Sequence, residues 1–135
     1  MTEGFLEDDG MCFGCGPQNE IGLQLNFAWD GDTYATRWTP AKAHQGWADR
    51  VHGGLLALVL DETLSRAAHT RHGLFWVTAE LTTRLIKPAL VNQPLRVQAR
   101  IQSARRRLII CTGEVVDEQT NATVATGLAK MMPVK

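Results

Sequence analysis

The stretch VHGGLLALVLDET, residues 51–63, holds residue types that favour reactions at a carbonyl group. A His-Gly-Gly sequence precedes a continuous apolar run, and two carboxylates follow it. Backbone N–H groups at a helix start lack intrahelical partners and lie at the positive end of the dipole, so they bind an oxyanion or a polarised carbonyl. Gly53 and Gly54 would let such a ligand approach the backbone closely. The structural alternative is that both glycines permit tight helix–sheet packing while His52 caps the helix.

Asp61 and Glu62 form the second half of the pattern. A carboxylate that follows six apolar residues is expected to be partly desolvated, which raises its pKa toward values useful for a general base. Adjacent residues lie about 100° apart around a helix, so at most one of the two faces a given pocket. Asp61 shares a face with Gly54, so we assign the chemistry to Asp61. Glu62 is assigned a structural role with Arg66 as its i,i+4 partner. The alternative is that both carboxylates begin a solvated helix end.

Gly53 and Asp61 cannot act on the same carbonyl from one helix. They lie eight residues apart, which corresponds to roughly 12 Å at about 1.5 Å per residue. A reacting carbonyl must lie about 3 Å from both the polarising N–H group and the base or its water. If the two residues cooperate, Gly53 of one chain must meet Asp61 of another. The spacing therefore predicts a homodimer with two equivalent interface sites.

The flanking sequence predicts the elements that position these residues. A helix over 51–72 is apolar on every side in its first turns, so we expect it to be enclosed. Alternating apolar and polar residues predict a hairpin over 23–38 before the helix, and four strands after it, at 77–88, 95–102, 108–117 and 123–132. Short connections require antiparallel neighbours, so the prediction is an α+β fold in which one antiparallel sheet packs on one helix.

The strand pattern also predicts which side chains share a face of the sheet and that the chain associates with another copy. In the strand over 77–88, strict alternation places Val77 and Leu81 on one side and Thr78 on the other. A single sheet around one helix leaves strand edges unpaired, so we expect the chain to associate with another copy.

The composition predicts one soluble globular domain over residues 1–135, with a Cys- and Gly-rich segment at 1–20 packing on it. The formal net charge is zero, which gives no basic surface for nucleic acid. No apolar run is long enough to span a bilayer, and the N-terminus is too acidic for a targeting peptide. Three cysteines are too few for a disulfide framework, so we expect a cytoplasmic protein.

Cys12-Phe13-Gly14-Cys15 has the spacing of a metal-binding knuckle, but the chain has no second pair of this kind. We predict that this segment is a buried, Gly-rich turn that covers the core, and that the protein uses no metal and no cofactor. A zinc or redox role is the alternative, with a histidine completing the site from among His44, His52, His69 and His72.

Larger stretches carry a resemblance to a known family. VHGGLLALVLDET, followed by WVTAELTTRLIKP, resembles the acyl-CoA thioesterases of the hotdog superfamily, in the phenylacetate-pathway (PaaI-like) branch. CFGCGPQNEIGLQLNF resembles the N-terminus of many relatives in that branch, so the likeness covers residues 12–132. The resemblance implies a hotdog fold, dimers that often pair into tetramers, and hydrolysis of an acyl-CoA thioester without a metal.

The resemblance also implies roles for individual residues. Gly53 matches the family glycine whose N–H polarises the thioester carbonyl, and Asp61 matches the acidic residue that acts as general base or nucleophile. Thr78 matches a Ser or Thr that helps to position the water. His52 matches the motif histidine that supports the thioester-binding loop.

Other residues are predicted to bind the rest of the substrate. Family members use an Asn or Gln six residues before the motif histidine; that position is Gly46 here, and assigning the role to its neighbour Gln45 requires a shifted loop. Gly54 is also predicted to bind the substrate. The phosphates of CoA could be bound by basic residues, namely Arg84, Lys87, Arg105, Arg106 and Arg107. The alternative for these is an ordinary charged turn and strand end.

The sequence leaves two further functions and the acyl group open. The first alternative is a non-catalytic acyl-CoA-binding or regulatory domain with the same fold. The second is a hydratase or dehydratase, which would use a histidine with a carboxylate and whose usual helix-entry sequence is not seen here. The aromatic side chains that could line an acyl pocket, or could equally belong to the core, are Trp38, Trp47, Phe75 and Trp76.

Overall fold

One long helix and one sheet make up the computed structural model, which describes residues 6–134. The elements are β1 (Phe27–Asp30), β2 (Thr33–Trp38), α1 (Gly53–His72), β3 (Trp76–Leu85), β4 (Leu95–Ala104), β5 (Ile109–Asp117) and β6 (Thr123–Pro133), with a short 3-10 helix (Lys42–His44) before α1. The strands form a six-stranded antiparallel sheet in the order β1-β2-β4-β5-β6-β3. The predicted α+β order of elements is confirmed.

Helix α1 lies on the sheet with one face buried, whereas Leu55, Ala57 and Leu58 in its first turns stay partly exposed, so the predicted enclosure on every side does not hold within one chain. Val59, Leu60 and Leu64 have no exposed surface. Gly113 and Gly127 allow the close approach, since a Cβ atom there would lie 3.2 Å from Leu64 Cδ2 and 3.3 Å from Leu60 Cδ2 respectively. Within the part of the chain that the structure describes, no helix is long and apolar enough to cross a membrane.

The first hairpin is shorter than the sequence predicts. Strand β1 begins at Phe27 rather than at residue 23. The Leu23 N–H donates to the Phe13 carbonyl at 2.8 Å, and the Leu25 N–H donates to the Gly14 carbonyl at 2.9 Å. These apolar residues therefore alternate as a strand would, but they pair with the Cys- and Gly-rich segment instead of with β2.

Strand β3 contains a bulge that changes which side chains face the helix. The register with β6 shifts between Thr78 and Glu80, so one extra residue stands in β3. Thr78 faces α1 and Leu81 packs against the core, whereas Val77 is 38 % exposed. The prediction that Val77 and Leu81 share a side opposite Thr78 is therefore wrong, because strict alternation does not continue through a bulge.

Candidate active site

The loop before α1 leaves a backbone donor at the first residue of the helix. His52 is the N-cap, and its Nδ1 accepts a hydrogen bond from the Gly54 N–H at 2.9 Å. The His52 carbonyl accepts from the Leu55 N–H at 2.9 Å. Among residues 6–134, the Gly53 N–H has no acceptor. Gly53 therefore presents the free donor at the positive end of the helix dipole.

Both glycines also have a packing role. A Cβ atom at Gly54 would lie 3.0 Å from His52 Nδ1, and one at Gly53 would lie 2.9 Å from Leu85 Cδ1. The structural alternative thus holds for His52, which caps the helix, and for the Gly54 N–H, which is satisfied inside the chain. It does not account for the Gly53 N–H, which remains free for a ligand.

Two adjacent cavities open at the helix start. The larger, about 580 Å³, is lined by Gln45, Gly46, Trp47, Val51, His52 and Gly53. The smaller, about 320 Å³, is lined by Ala43, His44, Gln45, His52, Gly54 and Leu55. The cavities thus bring the predicted residues Gln45, Gly53 and Gly54 to one place.

Gln45 is held in this loop by the backbone. It forms an antiparallel bridge with Val51, and its Oε1 accepts from the Asp49 N–H at 3.1 Å. Within the described chain its Nε2 has no acceptor. Gln45 and Gly53 therefore line the same cavity, and the role of Gln45 in binding stays a prediction.

Asp61 and Thr78 form a hydrogen-bonded pair between α1 and β3. Thr78 Oγ1 donates to Asp61 Oδ1 at 2.8 Å. Burial raises the pKa of Asp61, and the negative charge of Glu62 adds to this effect. The Thr78 hydrogen bond and the nearby His69 oppose the shift in pKa without reversing it. The direction is the one that the sequence predicts for a carboxylate at the end of an apolar run.

The two halves of the pattern lie apart within one chain. Gly53 and Asp61 are both on α1, so eight residues of helix, about 12 Å, separate them. Asp61 does not line either cavity at the helix start. One chain therefore carries two half-sites, an N–H half-site at Gly53 and a carboxylate half-site at Asp61 and Thr78.

The predicted phosphate-binding residues divide between these half-sites. Arg84 and Lys87 lie at the end of β3, where Leu85 packs on Gly53. Arg105 and Arg106 lie in the exposed turn between β4 and β5. This turn borders the Ile109 end of β5, which pairs with Met131 of β6, the partner of Thr78 in β3. Within one chain the two basic sets therefore do not form one cluster.

Glu62 has partners that the sequence does not predict. Its Oε1 and Oε2 lie 3.4 and 3.5 Å from Cys12 Sγ. Arg66 Nη1 instead lies 4.0 Å from Asp8 Oδ2. The predicted Glu62–Arg66 pair is therefore wrong, because Glu62 faces the N-terminal turn.

The aromatic side chains do not form one acyl pocket. Trp38 and Trp76 are buried in the core, and Phe75 packs against it. Trp47 is different, since it lines the cavity at Gly53 and is 84 % exposed. It is the residue of this set that could contact a substrate.

Comparison with known protein families agrees with this arrangement. The model of the thioesterase superfamily matches residues 49–124, which include both half-sites and more than half of the chain. The chain belongs to the thioesterase superfamily, and its fold is the hotdog fold. No curated protein sequence matches it significantly.

Solved structures show the same fold. A thioesterase superfamily protein superposes with a TM-score of 0.83 at 23 % identity, over 90 % of this chain; the chain spans 60 % of that protein's length. The Escherichia coli PaaI protein of the phenylacetic acid degradation operon gives a TM-score of 0.73 at 21 % identity, over 82 % of this chain and 83 % of PaaI. Mouse thioesterase superfamily member 2 gives 0.76 at 15 % identity, over 86 % and 93 %. At these identities the similarity establishes the fold.

Proposed function

We propose that the protein hydrolyses acyl-CoA thioesters to a free acid and CoA, at sites that two copies of the chain form together. The observation that carries the proposal is the pairing of a half-buried Asp61, held by Thr78 at 2.8 Å, with a free Gly53 N–H on the same helix. Membership of the thioesterase superfamily supports the reaction class.

The proposed chemistry assigns a task to each half-site. The Asp61 carboxylate takes a proton from a water molecule as the water oxygen attacks the thioester carbonyl carbon. The carbonyl oxygen becomes an oxyanion and accepts a hydrogen bond from the Gly53 N–H, strengthened by the helix dipole. When the tetrahedral intermediate collapses, the C–S bond breaks, and the CoA sulfur leaves with the proton that Asp61 returns. Thr78 holds Asp61 Oδ1, which leaves Oδ2 for the water. The reaction uses no metal and no cofactor.

The active unit is a homodimer, in which Gly53 of one chain meets the partner subunit's Asp61. The outer edge of β3 supports this assembly, since β3 is the last strand of the sheet and, among residues 6–134, pairs with β6 on one side only. Exposed apolar side chains lie along this edge, including Val77 and Leu85. A second copy pairing here would cover them and align the two helices. A tetramer would be a dimer of such dimers.

The proposed dimer would explain why the basic residues lie in two separate sets within one chain. Arg84 and Lys87 are close in sequence to Leu85, whose side chain packs on Gly53, and Arg105 and Arg106 lie at the sheet end that holds the carboxylate half-site. A site that combines the two half-sites would therefore combine the two basic sets, one from each chain. We assign them to the phosphates of CoA.

The substrate and setting complete the proposal. We place the chain in the PaaI-like branch, whose motifs the sequence VHGGLLALVLDET resembles, and include aryl acyl groups among the proposed substrates. We place it in the cytoplasm, where a reducing environment would preserve the free thiols of Cys12, Cys15 and Cys111.

The test is a screen of purified protein against short, medium, long and aryl acyl-CoAs, with release of the CoA thiol as readout. We expect turnover of at least one class, lost in Asp61→Asn and retained in the matched neighbour variant Glu62→Gln. Binding of acyl-CoA without turnover of any class would contradict the proposal and identify a binding domain.

A further inference from the structure

The turn that holds Cys12 and Cys15 packs on helix α1 at Glu62. One ligand atom from each of these three residues lies within 4.8 Å of the other two. Around a tetrahedral Zn²⁺, with Zn–S distances near 2.3 Å, two thiolates lie about 3.8 Å apart. The three atoms thus converge to nearly the spacing that such an ion requires.

We propose that Cys12, Cys15 and Glu62 bind a Zn²⁺ ion, which fastens the N-terminal segment to the central helix. The site joins residues 50 positions apart in the sequence. It stands on other residues than the proposed hydrolysis and does not depend on it.

The backbone organises the turn around this point. The Gly16 N–H donates to the Cys12 carbonyl at 2.7 Å and closes the turn. A Cβ atom at Gly14 would lie 2.7 Å from Glu62 Cδ, so a larger residue there would push the carboxyl away from the turn, and glycine lets the backbone sit directly on it. The N–H groups of Leu23 and Leu25 anchor the other side of the turn. The three side chains are therefore brought together by the fold itself.

The chemistry of the group favours a divalent metal with affinity for thiolates. Within residues 6–134, Glu62 has no salt-bridge partner, although it is half-buried. Instead, both of its oxygens lie near the Cys12 thiol, at 3.4 and 3.5 Å, so the carboxylate and the sulfur atoms of Cys12 and Cys15 form one group of ligand donors. A bound Zn²⁺ displaces two thiol protons and leaves the group with a net charge of −1.

The ligand set selects zinc and leaves room for a fourth ligand. Two thiolates and one carboxylate are donors that tetrahedral Zn²⁺ accepts, whereas Mg²⁺ and Ca²⁺ prefer oxygen donors alone. An adjacent cavity of about 370 Å³ is lined by Cys12, Cys15, Glu62 and Arg66 among others. Water can reach the ion through this cavity and complete its coordination.

The first test is a titration of the reduced full chain with Co²⁺, which reports its ligands by absorption. We expect a thiolate-to-cobalt charge-transfer band and the visible bands of a tetrahedral ion, saturating at one equivalent and lost on adding Zn²⁺. Cys12→Ser and Cys15→Ser should abolish these bands, and Glu62→Gln should weaken binding by more than about tenfold. The matched control is Cys111→Ala, which should keep them, since Cys111 is buried within β5.

The second test uses the wild-type chain and so does not depend on the folding of variants. Alkylation of Cys12 and Cys15, followed by peptide mass spectrometry, should be at least about tenfold slower with Zn²⁺ than with a chelator. Equal rates in the two conditions would overturn the proposal. So would cobalt bands that persist in Cys12→Ser and Cys15→Ser, or a reduced chain that binds neither metal.

Discussion

Asp61 and Glu62 are adjacent carboxylates on one helix, and the fold places them in two different environments. Asp61 faces β3 and accepts from the Thr78 hydroxyl, whereas Glu62 faces the N-terminal turn and the Cys12 thiol. The angle of about 100° between neighbouring helical residues produces this separation. Two chemically similar side chains are thereby placed for the two different roles that we propose, Asp61 for hydrolysis and Glu62 for metal binding.

The number of free oxygen atoms sharpens the contrast. Thr78 engages Oδ1 of Asp61, so Oδ2 remains for a water molecule. Cys12 Sγ lies near both oxygens of Glu62, at 3.4 and 3.5 Å. A general base needs an oxygen atom within reach of the proton that it removes; Thr78 fixes the Asp61 carboxyl through Oδ1 and leaves Oδ2 for this task, whereas the Glu62 carboxyl faces the N-terminal turn instead of β3.

Exchanging each carboxylate for its amide separates the two roles and should give the largest effect. Asp61→Asn should lower kcat by about 10²- to 10⁴-fold, because the amide cannot accept the proton of water. Glu62→Gln should keep kcat within a few-fold of wild type. Steady-state hydrolysis of the best acyl-CoA substrate measures both variants.

Equal losses in Asp61→Asn and Glu62→Gln would remove the distinction between the two carboxylates. A wild-type kcat in the Asp61→Asn variant would exclude Asp61 as the general base. Thermal unfolding of both variants is the control that shows whether a loss of activity is a loss of fold.

Removing the Gly53 N–H tests the other half-site and should have the next largest effect. Proline is tolerated at the first helical position, and His52 already has the extended backbone, with ψ of 129°, that a residue before proline adopts. Gly53→Pro should lower kcat by about 10²- to 10³-fold through loss of the oxyanion donor. Gly53→Ala keeps the N–H and adds a Cβ atom against the flexible Leu85 side chain, so it should lose much less. An equal loss of kcat in Gly53→Pro and Gly53→Ala would show that the absence of a side chain at this position, and not the N–H donor, is what activity requires.

Thr78 connects the base to β3, and its loss should shift the pH profile. Thr78→Val removes a hydrogen bond to the ionised carboxylate, so the pKa of Asp61 should rise further above its ordinary value. The acid limb of kcat should therefore move to higher pH, with a loss of about three- to tenfold at neutral pH. Thr78→Ser should restore the wild-type profile. The profiles are measured in a chelator, so that no metal at Glu62 contributes, and an unshifted limb would contradict the role of Thr78.

The basic residues at the two sheet ends should give the smallest effects. Arg84→Gln and Arg105→Gln should each raise KM for acyl-CoA by about two- to fivefold, since exposed ion pairs contribute at most about 1 kcal/mol. The KM for an acyl-N-acetylcysteamine, which lacks the phosphates, should not change. A change of KM for both substrates would place these residues outside phosphate binding.

Much of the fold could be predicted from the sequence, because helix and strand periodicities are local. The bulge in β3 could not, since it depends on the register with β6 and leaves no local mark in the sequence around Thr78. The spacing of Gly53 and Asp61 predicts two half-sites, because helical rise converts spacing directly into distance.

The contacts of Glu62 could not be predicted from the sequence for a different reason. The knuckle spacing of Cys12 and Cys15 is a local signal, but the third member of the group is 50 residues away and is a carboxylate rather than a histidine. Tertiary folding brings Glu62 to this turn, and no pattern along the sequence marks the contact. The i,i+4 spacing allows a Glu62–Arg66 pair, but Glu62 faces the N-terminal turn and Arg66 lies near Asp8.

The central claim is that each site combines Gly53 of one chain with the partner subunit's Asp61. The most direct test is to co-express Gly53→Pro and Asp61→Asn chains with different tags and to isolate the heterodimer. It contains one site with both groups intact and one with neither, so it should show about half of the wild-type activity, although each variant alone is nearly inactive. A verified heterodimer as inactive as its parents would contradict the account.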